Sequence, residues 1–152
     1  MIATLTALVL CFVPPFEAVV VGVYDGDTIT VRTDETIKIR LYGIDAPELK
    51  QPFGQASKQA MSGLVFGKNV TVKPNKKDRY GRTIARVETD GRDVSITMVE
   101  TGMAHWYEQY AKHDTELQSA QTKAKSAKLG VWSVPDAIVP WEYRKQKKAV
   151  TK

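Results

Sequence analysis

The sequence predicts an α+β domain: a five-stranded barrel with one inserted helix, followed by two C-terminal helices. Three observations carry this expectation. Five short runs alternate apolar and polar residues with period two, a stretch of helical spacing separates the third run from the fourth, and two capped apolar stripes follow the fifth. Ala18 to Tyr24 is rich in Val and stops at Asp25-Gly26-Asp27; Thr28 to Arg32 then alternates, so the two runs form a hairpin. A turn at Thr33-Asp34-Glu35 leads into Ile37 to Tyr42, where period two sets Ile37, Ile39 and Leu41 on one face and Arg40 on the other. Pro47 breaks that pattern. Pro52-Phe53-Gly54 precedes a helix from Gln55 to Phe66, in which Ala56, Ala60 and Leu64 recur at helical spacing and Gly67 supplies the stop. Asn69 to Lys73 and Thr83 to Thr89 resume strand alternation, and Asp90-Gly91 turns the chain out of the sheet. Asp93 or Ser95 can cap a helix through Met98, Val99 and Met103. A further helix starts at Asp114, buries Leu117, Ala120, Ala124 and Ala127, and closes at Leu129-Gly130 with lysines at its cation-favouring end. Three strands, a helix, two strands and two helices is the order of an OB-fold-like barrel, an architecture that commonly binds nucleic acids and sugars.

A chain of 152 residues supports one such domain with a real core, expected over residues 18–133. Residues 1–17 read as a secretory signal peptide: Met1 to Phe16 carries no charged side chain, and its apolar run of about 12 residues falls short of the roughly 20 that span a bilayer. The expectation is a secreted or periplasmic monomer with no stable membrane association once the leader is removed. The alternative is an uncleaved leader acting as a membrane anchor. The single cysteine, Cys11, lies in this leader, so the mature chain excludes a disulfide framework, cysteine-bound zinc and a cysteine nucleophile. Residues 134–152 form a basic C-terminal tail, expected to be loose at its end. The net charge of +5 favours a polyanionic partner, and 26% charged residues beside 43% hydrophobic ones is an ordinary globular balance.

Charges of both signs gather where strands end. Asp25 and Asp27 flank a glycine in a tight turn, and Asp45 closes a neighbouring strand, so their oxygens can converge on one hard cation such as Ca²⁺ or Mg²⁺. Either acidic segment alone is equally an ordinary solvated turn, and the spacing lacks the further ligands of an EF-hand loop. Arg40 and Arg82 are suited to a phosphodiester, because a planar guanidinium donates two hydrogen bonds to non-bridging oxygens and stays charged. Glu48, close to the same cation, can orient or deprotonate an attacking water.

Three segments, Asp25-Gly-Asp-Thr28, Arg40-Leu-Tyr-Gly-Ile-Asp-Ala-Pro-Glu48 and Asp78-Arg-Tyr-Gly-Arg82, together with Gly91, Gly102-Met-Ala and Leu129-Gly-Val-Trp132, resemble the staphylococcal nuclease (thermonuclease) family in order and approximate spacing. The resemblance covers about Ala18 to Trp132. It implies a Ca²⁺-dependent phosphodiesterase that hydrolyses DNA and RNA and leaves 3′-phosphate ends. It also implies Asp27 and Asp45 as direct calcium ligands, Ala46 as a ligand through its backbone carbonyl, and Asp25 in or near the shell behind them. Arg40 and Arg82 would then hold the reacting phosphate, and Glu48 would position the water or act as general base. Tyr80, Tyr107 and Tyr110 match the phosphate-contact and base-packing positions. The family's pattern departs here in Ala46, where threonine is familiar, and in a shorter loop from Leu49 to Gly54. The competing expectation is an OB-fold nucleic-acid-binding module that has lost catalysis; the filled charged positions speak against it.

Overall fold

Five strands of the protein close on themselves in the computed structural model, which describes residues 13–151. Strands β1 (Phe16–Val23), β2 (Thr28–Arg32) and β3 (Thr36–Leu41) form an antiparallel meander. After the two-residue strand β4 (Ile44–Asp45) and helix α1 (Gly54–Val65), strand β5 (Asn69–Lys77) returns beside β1, and β6 (Thr83–Thr89) pairs with β5. Parallel pairing of β3 with β6 completes the barrel, so the α+β, OB-fold-like architecture and the helix inserted between its third and fourth long strands are as expected. Alternation puts Val20, Ile29, Val31, Ile39, Leu41 and Val87 inside, each at most 1% exposed, so the barrel's interior is filled by a mainly aliphatic side-chain core.

The remaining elements are the strand β7 (Arg92–Asp93), helix α2 (Val94–Glu100), strand β8 (His105–Trp106), helices α3 (Glu108–Ala111) and α4 (Thr115–Ser126), a 3₁₀ turn at Gly130–Ser133, and helix α5 (Pro140–Val150). Asp93 caps α2 by accepting from the Ile96 N–H (2.9 Å), and Asp114 caps α4 by accepting from the Leu117 N–H (3.0 Å). Arg86 of β6 bridges the two caps, 2.6 Å from Asp93 and in contact with Asp114, which ties both helices to the barrel wall. Met103 lies beyond α2, because the backbone turns at Gly102 with φ 71°.

The tail departs from its expected looseness. Pro140 occupies the first turn of α5, where its missing N–H leaves no intrahelical bond unmade, and it is buried. The leader falls largely on residues 1–12, outside the described residues, while Phe16 and Glu17 already pair with Val72 and Thr71 in β1. No helix among the described residues is long and apolar enough to cross a membrane.

Candidate active site

Strand register brings the acidic turn to the charged end of β3. Thr28 pairs with Arg40, and the Leu41 N–H donates to the Asp27 carbonyl (2.8 Å), which draws the β1–β2 turn over the start of β4. Gly26 sits at the tightest point. A Cβ there would lie 1.8 Å from Ser57 Oγ and 2.7 Å from the Ala46 methyl, so only glycine lets the turn settle against α1. The Ala46 N–H then donates to Asp27 Oδ2 at 2.7 Å, and Thr28 Oγ1 donates to Asp27 Oδ1 at 2.9 Å.

Asp27 and Asp45 are 5% and 1% exposed, so two anions are held almost wholly out of water and must be compensated. Arg40 supplies much of that compensation: Nε lies 3.2 Å from Asp27 Oδ1 and Nη2 3.3 Å from Asp45 Oδ1. Nη1 donates to the carbonyls of Leu41 (3.0 Å) and Ile44 (2.8 Å), which fixes the guanidinium against the backbone. Nη1 spends both its N–H bonds on these carbonyls, while Nε and Nη2 face the two carboxylates. Burial pushes the Asp45 carboxyl above its ordinary range; repulsion from Asp27 adds to the rise, and the hydrogen bonds and charge of Arg144 and the charge of Arg40 oppose it. Asp25 is pushed up to about 7, first by burial and then by the Asp27 charge; its Oδ1 accepts the Asp27 N–H at 3.0 Å, so it braces the turn.

Glu48 follows on the loop after β4. Its N–H donates to Gln51 Oε1 (3.1 Å), and Gln51 Nε2 donates to the Ile138 carbonyl (2.5 Å), so the loop is pinned from both sides. The residue that joins Glu48 to Asp45 is one that sequence reasoning passed over: Arg144 of α5, whose Nη1 lies 2.8 Å from Glu48 Oε1 and whose Nη2 lies 2.7 Å from Asp45 Oδ2. Its hydrogen bonds to Asp45 and Glu48 raise its own pKa further above the ordinary arginine value.

Asp25, Asp27, Arg40, Asp45, Ala46 and Glu48 are thus brought together. Among the described residues, no hydrogen bond or ion pair joins Arg82 or Tyr80 to them. Arg82 Nε pairs with Asp78 Oδ2 at 2.7 Å, and the guanidiniums of Arg79 and Arg82 lie 4.9 and 5.6 Å from the centre of the exposed Tyr80 ring. Tyr107 lies near enough to Asp45 to feel its charge, with burial the larger cause of its raised pKa. It stacks on Trp141 (5.0 Å, 5° between planes) and meets Tyr110 edge-on at 4.8 Å. Tyr110 is 63% exposed and lines a groove with Tyr42, Lys73, Lys112 and His113. The Tyr107–Tyr110 pair thus links a ring that feels the Asp45 charge to an exposed aromatic.

The donor chemistry fits a hard cation. Asp27 and Asp45 offer buried anionic oxygens, while no imidazole or thiol stands among them, and an ion held by two carboxylates completes its shell with water or substrate oxygens. No cluster of three or more His, Cys, Asp or Glu side chains able to hold a metal occurs among the described residues.

His105 pairs through its backbone with Asp45 and is 2% exposed, wedged edge-on between Trp132 and Trp141, with Nδ1 unpartnered. Burial drives its pKa from 6.5 down to about 4, so the unfolded chain takes up this proton at a higher pH than the folded one. The stability it contributes is fully present above pH 6.5 and is lost as the pH falls towards 4. We expect His105→Phe to remove that acid sensitivity: the difference between the wild-type and variant unfolding free energies should change by up to about 3 kcal/mol across this interval in urea melts. Parallel curves would refute it.

Comparison with known proteins agrees with this geometry. The family model described as staphylococcal nuclease homologue matches residues 38–134, a stretch that takes in Arg40, Asp45, Ala46, Glu48, Tyr80, Arg82, Tyr107 and Tyr110 but ends before α5. A protein of Haemophilus influenzae described as an uncharacterized endonuclease is 44% identical over 131 residues, covering 85% of this chain and 73% of the relative. A micrococcal nuclease of Shigella flexneri is 37% identical over 147 residues, covering 90% and 84%. An Escherichia coli protein described as ParB is 38% identical over 138 residues, covering 84% and 78%. With its barrel, its charged cluster and these matches, the chain belongs to the staphylococcal nuclease family.

Proposed function

We propose that this protein is a Ca²⁺-dependent nuclease that hydrolyses phosphodiester bonds in DNA and RNA and leaves 3′-phosphate ends. The observation that carries the reading is the convergence of two buried carboxylates, Asp27 and Asp45, with Arg40 and with Glu48 at the mouth of one barrel end. Asp27, Asp45 and the Ala46 carbonyl would hold the cation, which when bound supplies positive charge to the phosphate's non-bridging oxygens. Arg40 would present its guanidinium edge to the same phosphate. Arg82 contributes a second guanidinium once it turns from Asp78. Glu48 accepts a proton from a water aligned with the scissile bond; the water oxygen bonds to phosphorus, the bond to the 5′ oxygen breaks, and the departing alkoxide takes a proton from bulk water. Tyr80, Tyr107 and Tyr110 offer faces and hydroxyls to the strand, a mode that favours unpaired bases because every base has a stacking face.

On this reading the enzyme works as a monomer outside the cytoplasm, with the leader removed. Purified mature protein should degrade denatured DNA and RNA when Ca²⁺ is supplied and stop when a chelator is added, with product ends that a 3′-phosphatase can process. Binding without cleavage under any divalent ion would overturn the proposal and favour a nucleic-acid-binding module. The mass of the exported product would test the leader separately.

A further inference from the structure

The last helix returns to the carboxylates and occupies them. Trp141, at the start of α5, stacks on Tyr107 and meets His105 edge-on at 5.9 Å, and the Ile138 carbonyl just ahead accepts from Gln51, so the beginning of the helix is anchored. Arg144 lies one turn further on. Its fork covers both oxygens of Asp45, Nη1 at 3.1 Å from Oδ1 and Nη2 at 2.7 Å from Oδ2, while Nη1 also holds Glu48. The Arg144 side chain is 38% exposed against 2% for that of Asp45.

Two guanidiniums thus share one buried carboxylate, and they are not equally replaceable. Arg40 is tied to two main-chain carbonyls that would be stranded if it moved, whereas the Arg144 hydrogen bonds among the described residues go to the carboxylates alone. A divalent cation bound by Asp45 needs the lone pairs that Arg144 covers, and its charge repels a guanidinium a few ångströms away. We propose that Arg144 and the divalent cation are alternative occupants of Asp45: the C-terminal helix latches the site in the metal-free protein, and metal entry expels the guanidinium towards solvent. Glu48 is released by the same movement, so the metal ligand and the water-handling carboxylate become available together. The inference rests on the metal reading above and adds to it an internal competitor.

Calorimetric titration of Ca²⁺ into the full chain, with no nucleic acid present, tests it. Arg144→Gln removes the competing charge, and Trp141→Ala removes the anchor without touching the carboxylates. Both should bind Ca²⁺ about tenfold more tightly than wild type, since a ligand's apparent affinity is scaled down to the fraction of protein in the open state, here about one tenth. Equal or weaker binding by the two variants, with measurable binding by wild type, overturns the latch and leaves the metal site standing. No Ca²⁺ binding by any of the three overturns the metal reading and the latch with it. Circular dichroism confirms that each variant is folded, and because the two substitutions act at different points, failure of one to fold leaves the other to decide.

Discussion

Glu48→Gln should lower turnover by about 10²- to 10⁴-fold, the range associated with removing a positioned general base. The substitution keeps the shape of the side chain and an oxygen that can still accept from Arg144 Nη1, which lies 2.8 Å from the carboxylate in the wild type. It removes the negative charge and the ability to take a proton from water. The loop that carries it is held by backbone and by Gln51, not by the Glu48 carboxylate, and the side chain is 41% exposed. The urea midpoint should therefore move little, and Ca²⁺ binding should persist, because Asp27 and Asp45 are intact. A selective fall in kcat, measured under single-turnover conditions so that product release does not mask it, is the expected signature. Wild-type turnover in this variant would remove Glu48 from the mechanism.

The parts of the molecule legible in the sequence are those whose signal is local. Ile37, Ile39 and Leu41 show their buried face through period two alone, and the Asp114 cap is readable because its acceptor and the Leu117 donor are three residues apart. The site segment from Arg40 to Glu48 was legible for the same reason, since it carries most of its charges on one stretch. Strands β4 and β8 were not, because two residues have no period and their pairing depends on the barrel having already placed Asp45 opposite His105. Arg144 was the larger omission. It stands 99 residues from Asp45, in a tail whose basic composition reads as a solvated end, and nothing local distinguishes it from Lys145 or Lys147. A signal did exist: Pro140 followed by Trp141 and Glu142 is a good helix start with a large anchor, which argues for a docked helix over a loose tail. Asp25 shows a contact that the sequence does not reveal, since its Oδ1 accepts the Asp27 N–H two residues on and so braces the turn that carries Asp27.

Arg40 should prove to be a structural cation as much as a catalytic one, and the two roles can be separated. Arg40→Ala leaves Asp27 and Asp45 buried without their fixed counter-charge and strands the Leu41 and Ile44 carbonyls, so a stability loss of about 3–5 kcal/mol is expected from the breaking of a buried charge pair. The urea midpoint should drop at unchanged slope. Arg40→Lys restores the charge but not the fork, because one ammonium cannot serve Asp27, Asp45 and two carbonyls from the positions of Nε, Nη1 and Nη2. This variant should regain part of the stability and still lose about 10²- to 10³-fold in kcat, the scale of removing a donor aimed at developing charge. Added Ca²⁺ should stabilise both variants more than it stabilises wild type, since a bound divalent cation takes over the neutralisation that Arg40 performs in the metal-free protein. If Arg40→Lys instead keeps wild-type kcat, the guanidinium serves the fold alone and the phosphate must be held by Arg82 and the cation.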